Sequence, residues 1–248
     1  MEVKFRPLKA NEIEVRISQI ASNWATLLLY KDARVDMDML DETVGQLNWK
    51  REHLRENANC VVSIYDADKK EWVSKEDTGT ESYTEKEKGL ASDSFKRACV
   101  NWGIGRELYT SPSIFILPRK DMVKKGKDSE FYENDKGKYE TKTRFHVELI
   151  EYDENKNITS LIIRDDKNNI RFSQLDKNCS KRLLDNFNKM HELIEKVEEK
   201  DEKFERDKIW KIFDVDMDIK LTSVQVEEVI SMLEKKLQKK TQKEEGEK

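Results

Sequence analysis

Lys96 and Arg97 stand side by side within residues 81–109, ESYTEKEKGLASDSFKRACVNWGIGRELY, and adjacent cations are a means of gripping phosphate. Whether they can act so depends on the element that carries them. With successive side chains about 100° apart on a helix, Ala91, Phe95, Ala98, Cys99 and Trp102 gather on one arc, while Lys86, Asp93, Lys96 and Arg97 fall across the axis. One face is suited to burial and the other to charge. Thr84 and Glu87 have the T-x-x-E spacing of a capping box, which predicts a helix starting near Thr84. Gly103 supplies a left-handed stop, Gly105 loosens the following turn, and Pro112 prevents helix from resuming. The same pattern also describes an ordinary surface helix with a solvated charge run.

A second group of cations lies at residues 50–56. If that stretch is extended, period two puts Arg51, His53 and Arg55 on one face and Glu52, Leu54 and Glu56 on the other, giving either a positive stripe or a solvated edge strand. Local clustering matters because the chain as a whole is acidic, with a formal net charge of -4, and residues 1–118 hold 17 Lys plus Arg against 20 Asp plus Glu. A nucleic-acid binder of this composition needs its basic residues concentrated.

Other chemistries find less support. The chain has no G-x-x-x-x-G-K-[ST] phosphate loop, which argues against an ATP-driven enzyme, and the GIG at 103–105 lacks the preceding strand of a dinucleotide fingerprint. His53, His146 and His191 are isolated in sequence, so each reads as a packing or surface residue. Asp165 and Asp166 are candidate metal ligands of a nuclease, yet Asp-Asp before Lys-Asn-Asn is also ordinary turn chemistry. Cys60, Cys99 and Cys179 are odd in number and widely spaced, which points to reduced thiols rather than disulfides or zinc. No cofactor is called for. Without an apolar run of about 20 residues, and with a charged start carrying Pro7, the sequence predicts no membrane span and a cytoplasmic location.

Periodicity supplies the elements that would hold these residues. Ile13, Ile17 and Ile20 are read as a helix over 11–20, followed by an apolar strand over 24–30 and a helix over 36–46 ended by Gly45. Strands at 50–56, 59–65 and 72–77 form a meander before the long helix, and residues 113–117 add a short strand. The fold class is therefore α+β, an antiparallel meander packed against a long helix. Residues 119–142 read as a mobile connection, residues 143–152 and 158–164 as a β-hairpin around a turn at 153–157, and the chain from Leu175 as helical. There Leu183, Leu184, Phe187, Met190, His191 and Ile194 form one stripe, and Val226, Val229, Ile230, Leu233 and Leu237 another. The expected divisions are 1–118, 119–174, 175–238 and a disordered charged tail at 239–248.

The run SDSFKRACVNWGIGRELY resembles the signature of the Rad-fifty-two family of single-strand annealing proteins, including the Sak-type proteins of bacteriophages. Upstream, YKDARVDMDMLDETVGQLNW, from Tyr30 to Trp49, is similar to the family segment in which a strand end and a helix lead to a glycine and then a tryptophan. The resemblance covers roughly residues 10 to 118 and implies ATP-independent annealing of complementary single-stranded DNA in recombination or repair, by a non-catalytic protein. It implies assembly into a homo-oligomeric ring or filament within a bacterial host cell. Carried over by motif, Lys96 and Arg97 contact the DNA backbone, and Arg34 lies next to the position of a further arginine. A third basic residue of eukaryotic members is Val100 here, for which either Arg106 or a neighbouring subunit could compensate. The helical C-terminal region would be free to bind a single-strand-binding or replication protein. The alternatives are a metal-dependent nuclease and a non-enzymatic replication or recombination adaptor.

Overall fold

The computed structural model describes residues 3–80, 86–120, 129–201 and 203–246, the side chains of 86–88 and 241–246 excepted. Helix makes up about 39% and strand about 29% of the protein, which with the β-meander makes it α+β. The chain forms two compact units, residues 1–142 with 152–158 and residues 143–151 with 159–248.

The first unit opens on a short 3-10 turn, Ala10–Glu12, and then strand β1, Glu14–Ile20. The helix expected over 11–20 is thus corrected to a strand. Val15 is the reason: with Ile13 and Ile17 it makes a period of two that a helical reading through Ile13, Ile17 and Ile20 passes over. Strand β1 pairs antiparallel with β2, Ala25–Tyr30, whose other neighbour is β6, Ile114–Ile116. Ala25, Leu27, Leu29, Ile114 and Ile116 turn inward and are buried.

Helix α1, Ala33–Val44, begins where the Asp32 side chain accepts from Arg34 N at 2.8 Å and ends at Gly45, whose φ of 87° is open to glycine. The meander follows as β3, Trp49–Leu54, β4, Asn59–Asp66, and β5, Glu71–Thr78, paired in that order.

Helix α2, Lys86–Trp102, packs on β4 and β5, burying Phe95, Ala98 and Cys99 completely. Gly79 permits the approach, since a Cβ there would lie 2.6 Å from Ser94 N and 2.8 Å from Leu90 O. Trp49 stacks on Phe95 with ring centroids 6.2 Å apart, and Trp102 Nε1 donates to Val62 O at 3.0 Å. These two tryptophans are core anchors. Burying Phe95 alone contributes about 2–3 kcal/mol. The Thr84 cap lies outside the described residues.

The expected mobile connection is partly ordered: Glu130 and Phe131 are buried, and β7, Tyr132–Glu133, pairs with β8, Tyr139–Glu140. The Tyr152–Ile158 turn also belongs to this unit, with the Tyr152 hydroxyl donating to Leu8 O at 2.9 Å and Lys156 Nζ to Phe5 O at 2.6 Å.

In the second unit, β9, Phe145–Tyr152, neighbours β10, Ile158–Asp165, as the hairpin reading expects, and β11, Ile170–Gln174, adds a strand that reading lacks. Helices α3, Lys177–Lys200, α4, Asp207–Ile212, and α5, Ser223–Gly246, follow. Met190, Ile194 and Val197 of α3 pack with Val226, Val229, Ile230 and Leu233 of α5 around Ile209 and Trp210. The two stripes therefore cover each other, although Leu184 is left 59% exposed. Helix α5 continues to Gly246, so the tail expected to be disordered from 239 is helical over most of its length. No helix among the described residues is long and apolar enough to cross a membrane.

Candidate nucleic-acid interface

The packing of α2 decides what its polar face can do. With Phe95, Ala98 and Cys99 turned into the core, Asp93, Lys96, Arg97 and Val100 are left along one wall of a cleft of about 280 Å³. Arg16, Leu28 and Tyr30, from the outward face of β1 and β2, line it as well, as do Leu108 and Tyr109. Arg16, Lys96 and Arg97 thus border one groove together with the apolar Leu28, Val100 and Leu108.

Their partners set their availability. Arg97 Nε lies 3.3 Å from Asp77 Oδ1, and its side chain is still 45% exposed. Lys96 makes no ion pair among the described residues. Arg16 places its guanidinium 5.2 Å from the centroid of the Tyr30 ring, whose hydroxyl is raised to about 12 chiefly by its hydrogen bond to Glu14. Asp93, the acid on this wall, accepts from Thr80 N at 2.8 Å and from the Thr80 hydroxyl at 3.1 Å.

A buried pair lies at the base of the cleft. Lys31 Nζ donates to Asp36 Oδ1, and both side chains are essentially inaccessible. Burial pushes the Asp36 carboxyl up to about 6, against the pull of Lys31 and the weaker influence of Lys96. Gly105 makes room for this lysine: at φ 70° it passes so close that an added Cβ would sit 2.3 Å from Lys31 Cε. The glycine read as a loosened turn is needed for close approach.

The other sequence-predicted cations do not line this cleft. Strand β3 ends at Leu54, and Arg55, Glu56 and Asn57 turn with φ of 51°, 53° and 69°, so Arg55 leaves the stripe. Arg51 pairs with Val62 and His53 with Cys60, so the two share one face of β3, where Arg51 stays exposed and His53 is half-buried. Arg51 lies over the Phe95 ring at 4.8 Å. His53 keeps Nδ1 buried with no hydrogen bond among the described residues, and burial, with the Arg51 charge, pushes its imidazole down. Arg106 donates from Nη2 to Val100 O at 2.9 Å and to Asn101 O at 3.2 Å, capping the carbonyl end of α2. Arg34 is 87% exposed, 3.8 Å from Asp32, and does not border the cleft. Arg16 is the cation that sequence reasoning missed. Its signal was the alternation Ile13, Glu14, Val15, Arg16, Ile17.

Asp165 in the second unit is fully buried, and its carboxylate accepts from Lys167 N and Asn169 N, each at 2.9 Å, and from Asn169 Nδ2 at 3.0 Å. That is the turn chemistry foreseen for this pair. Among the described residues no three His, Cys, Asp or Glu side chains converge as a metal site. The Cys60, Cys99 and Cys179 thiols are buried, and burial raises Cys60 to about 11. No protein family, curated protein or solved structure matches the chain.

Proposed function

We propose that the first unit binds single-stranded DNA and, as an oligomer and without ATP, anneals complementary strands in recombination or repair. The observation that carries this reading is the placement of Lys96 and Arg97, the basic pair of the annealing-family resemblance, beside Arg16 in one cleft, with Lys96 in no ion pair among the described residues and Arg97 nearly half exposed. Arg16 supplies a cation where Val100 leaves the expected third position apolar.

The physics suits annealing. Cations at one wall hold the sugar-phosphate backbone irrespective of sequence, so that base edges remain available to a complementary strand. One cleft spans few nucleotides, and each phosphate contact is modest and weakened by salt, so repeated subunits would supply reach through effective concentration. Base pairing supplies the driving force. A phage-type protein in a bacterial host, with its helical second unit meeting a single-strand-binding or replication protein, fits the same reading.

The test is the Lys96→Ala, Arg97→Ala double variant in the full chain. We expect single-strand affinity to fall about 10- to 100-fold near 0.1 M salt, and the slope of log affinity against log salt to shrink by about 1 to 2. Circular dichroism should be unchanged, because neither side chain is in the core. Undiminished binding with an unchanged slope would overturn the proposal and leave the adaptor reading.

A further inference from the structure

Beyond the cleft, the outward face of β2 continues without a charge. Alternation sends Thr26 and Leu28 outward, and the register sets Phe115 of the edge strand β6 opposite Thr26. Phe115 is 52% exposed, Leu117 62% and Leu28 42%. Trp24, just before β2, stacks on Phe115 with centroids 5.9 Å apart and ring planes 18° from parallel.

Leu28 belongs both to this face and to the cationic cleft, so the two are continuous. At about 3.3 Å per residue, the face runs about 20 Å from Tyr30 to Trp24, comparable to three extended nucleotides. An anion-binding wall that merges into a flat aromatic surface fits a polymer with phosphates along one side and unpaired planar rings along the other.

We infer that Trp24 and Phe115 form a base-stacking platform that extends the cleft and takes two or three bases of single-stranded DNA while Lys96 and Arg97 hold the adjoining phosphates. The inference rests on the cleft being a nucleic-acid groove. Stacking engages the face of a base and leaves its pairing edge free, so the platform is compatible with annealing. It also selects against duplex, whose base faces are hidden. A second copy of the chain covering the β6 edge is the competing occupant, and the charge-bearing cleft beside the aromatic pair favours nucleic acid over another apolar edge.

The experiment uses the full chain, an oligothymidylate of about 20 nucleotides and an abasic oligomer of equal length. Phe115→Ala is expected to weaken oligothymidylate binding about 5- to 100-fold with an unchanged salt slope, to leave abasic binding unaltered, and to lose the quenching of 2-aminopurine placed in the strand. Phe115→Tyr should restore all three. Because Phe115 is half exposed, the alanine variant should keep the wild-type melting profile. Equal affinity for oligothymidylate, or an equal loss on the abasic oligomer, would overturn the platform. So would a drop in molar mass by light scattering, which would make this face a contact between copies. If Lys96→Ala with Arg97→Ala abolishes binding and Phe115→Ala does not, the platform fails while the cleft stands. If neither affects binding, the cleft reading fails as well.

Discussion

The two units each bury an ion pair, and the pairs are built differently. In the second unit Arg164 donates to Glu148, to Asn168 O and, at 3.0 Å, to Leu221 O, while the second oxygen of Glu148 accepts from Ser223 N at 2.7 Å. Each guanidinium nitrogen and both carboxylate oxygens are engaged. In the first unit Lys31 satisfies only Oδ1 of Asp36, and Oδ2 has no hydrogen-bond partner among the described residues. A fully satisfied pair fixes the strands and helix that meet at it. A half-satisfied one keeps a carboxylate whose ionisation is opposed by burial, beneath a cleft that already carries Lys96.

The largest expected effect comes from breaking the satisfied pair. Arg164→Ala leaves Glu148 buried and unpaired, and should cost the second unit about 3–5 kcal/mol, read by hydrogen exchange as faster opening across β9, β10, α3 and α5. Protection in β4 should hold; if it falls equally, the units unfold together and the contrast between their ion pairs loses its meaning.

A smaller effect follows from pH. The folded carboxyl of Asp36, near 6, lies above its ordinary value of 3.8, so the folded state binds this proton more tightly than the unfolded chain. Its stabilising contribution is complete below about pH 4 and disappears as pH rises through about 6, a change of at most about 3 kcal/mol. Denaturant melts of the first unit between pH 4 and 7 should show stability declining over that window, and Lys31→Met with Asp36→Asn should flatten the decline. A wild-type profile that rises with pH would show the carboxylate to be better satisfied than its geometry indicates.

Two glycines sharpen the local picture. Gly105→Ala drives a methyl into Lys31 and strains a residue at φ 70°, for an expected loss of about 2 kcal/mol. Gly103→Ala, at φ 99° with nothing within 4 Å, should cost about 1 kcal/mol from backbone strain alone. Equal melting shifts would mean that Lys31 can move aside. The smallest effect is that of Arg106→Ala, about 0.5 kcal/mol in thermal melts, since its exposed side chain caps carbonyls that water can serve instead.

Legibility in the sequence followed the range of the forces involved. Helix α2, its apolar arc and its stop at Gly103 were readable because amphipathicity and a glycine stop are settled within one helix. The meander and its strand order were readable from alternation and turns, and Lys96 and Arg97 from the face they share. Strand β1 was misread because Ile13 and Ile17 satisfy a helical spacing and a strand's alternation at once, while a bulge between Ile17 and Gln19 puts Ile20 out of the period of two; pairing with β2 chose the strand.

Which residues must be hidden and which side of α2 carries charge follow from hydrophobicity and a fixed helical period alone, and so could be read from the chain. Which cations meet was settled by packing between segments: the pairing of β1 with β2 brought Arg16 to the cleft, β3 kept Arg51 and His53 outside it, and the end of α2 engaged Arg106. Register and packing depend on partners distant in sequence. No periodicity within a segment can state which face of a strand its neighbours will cover.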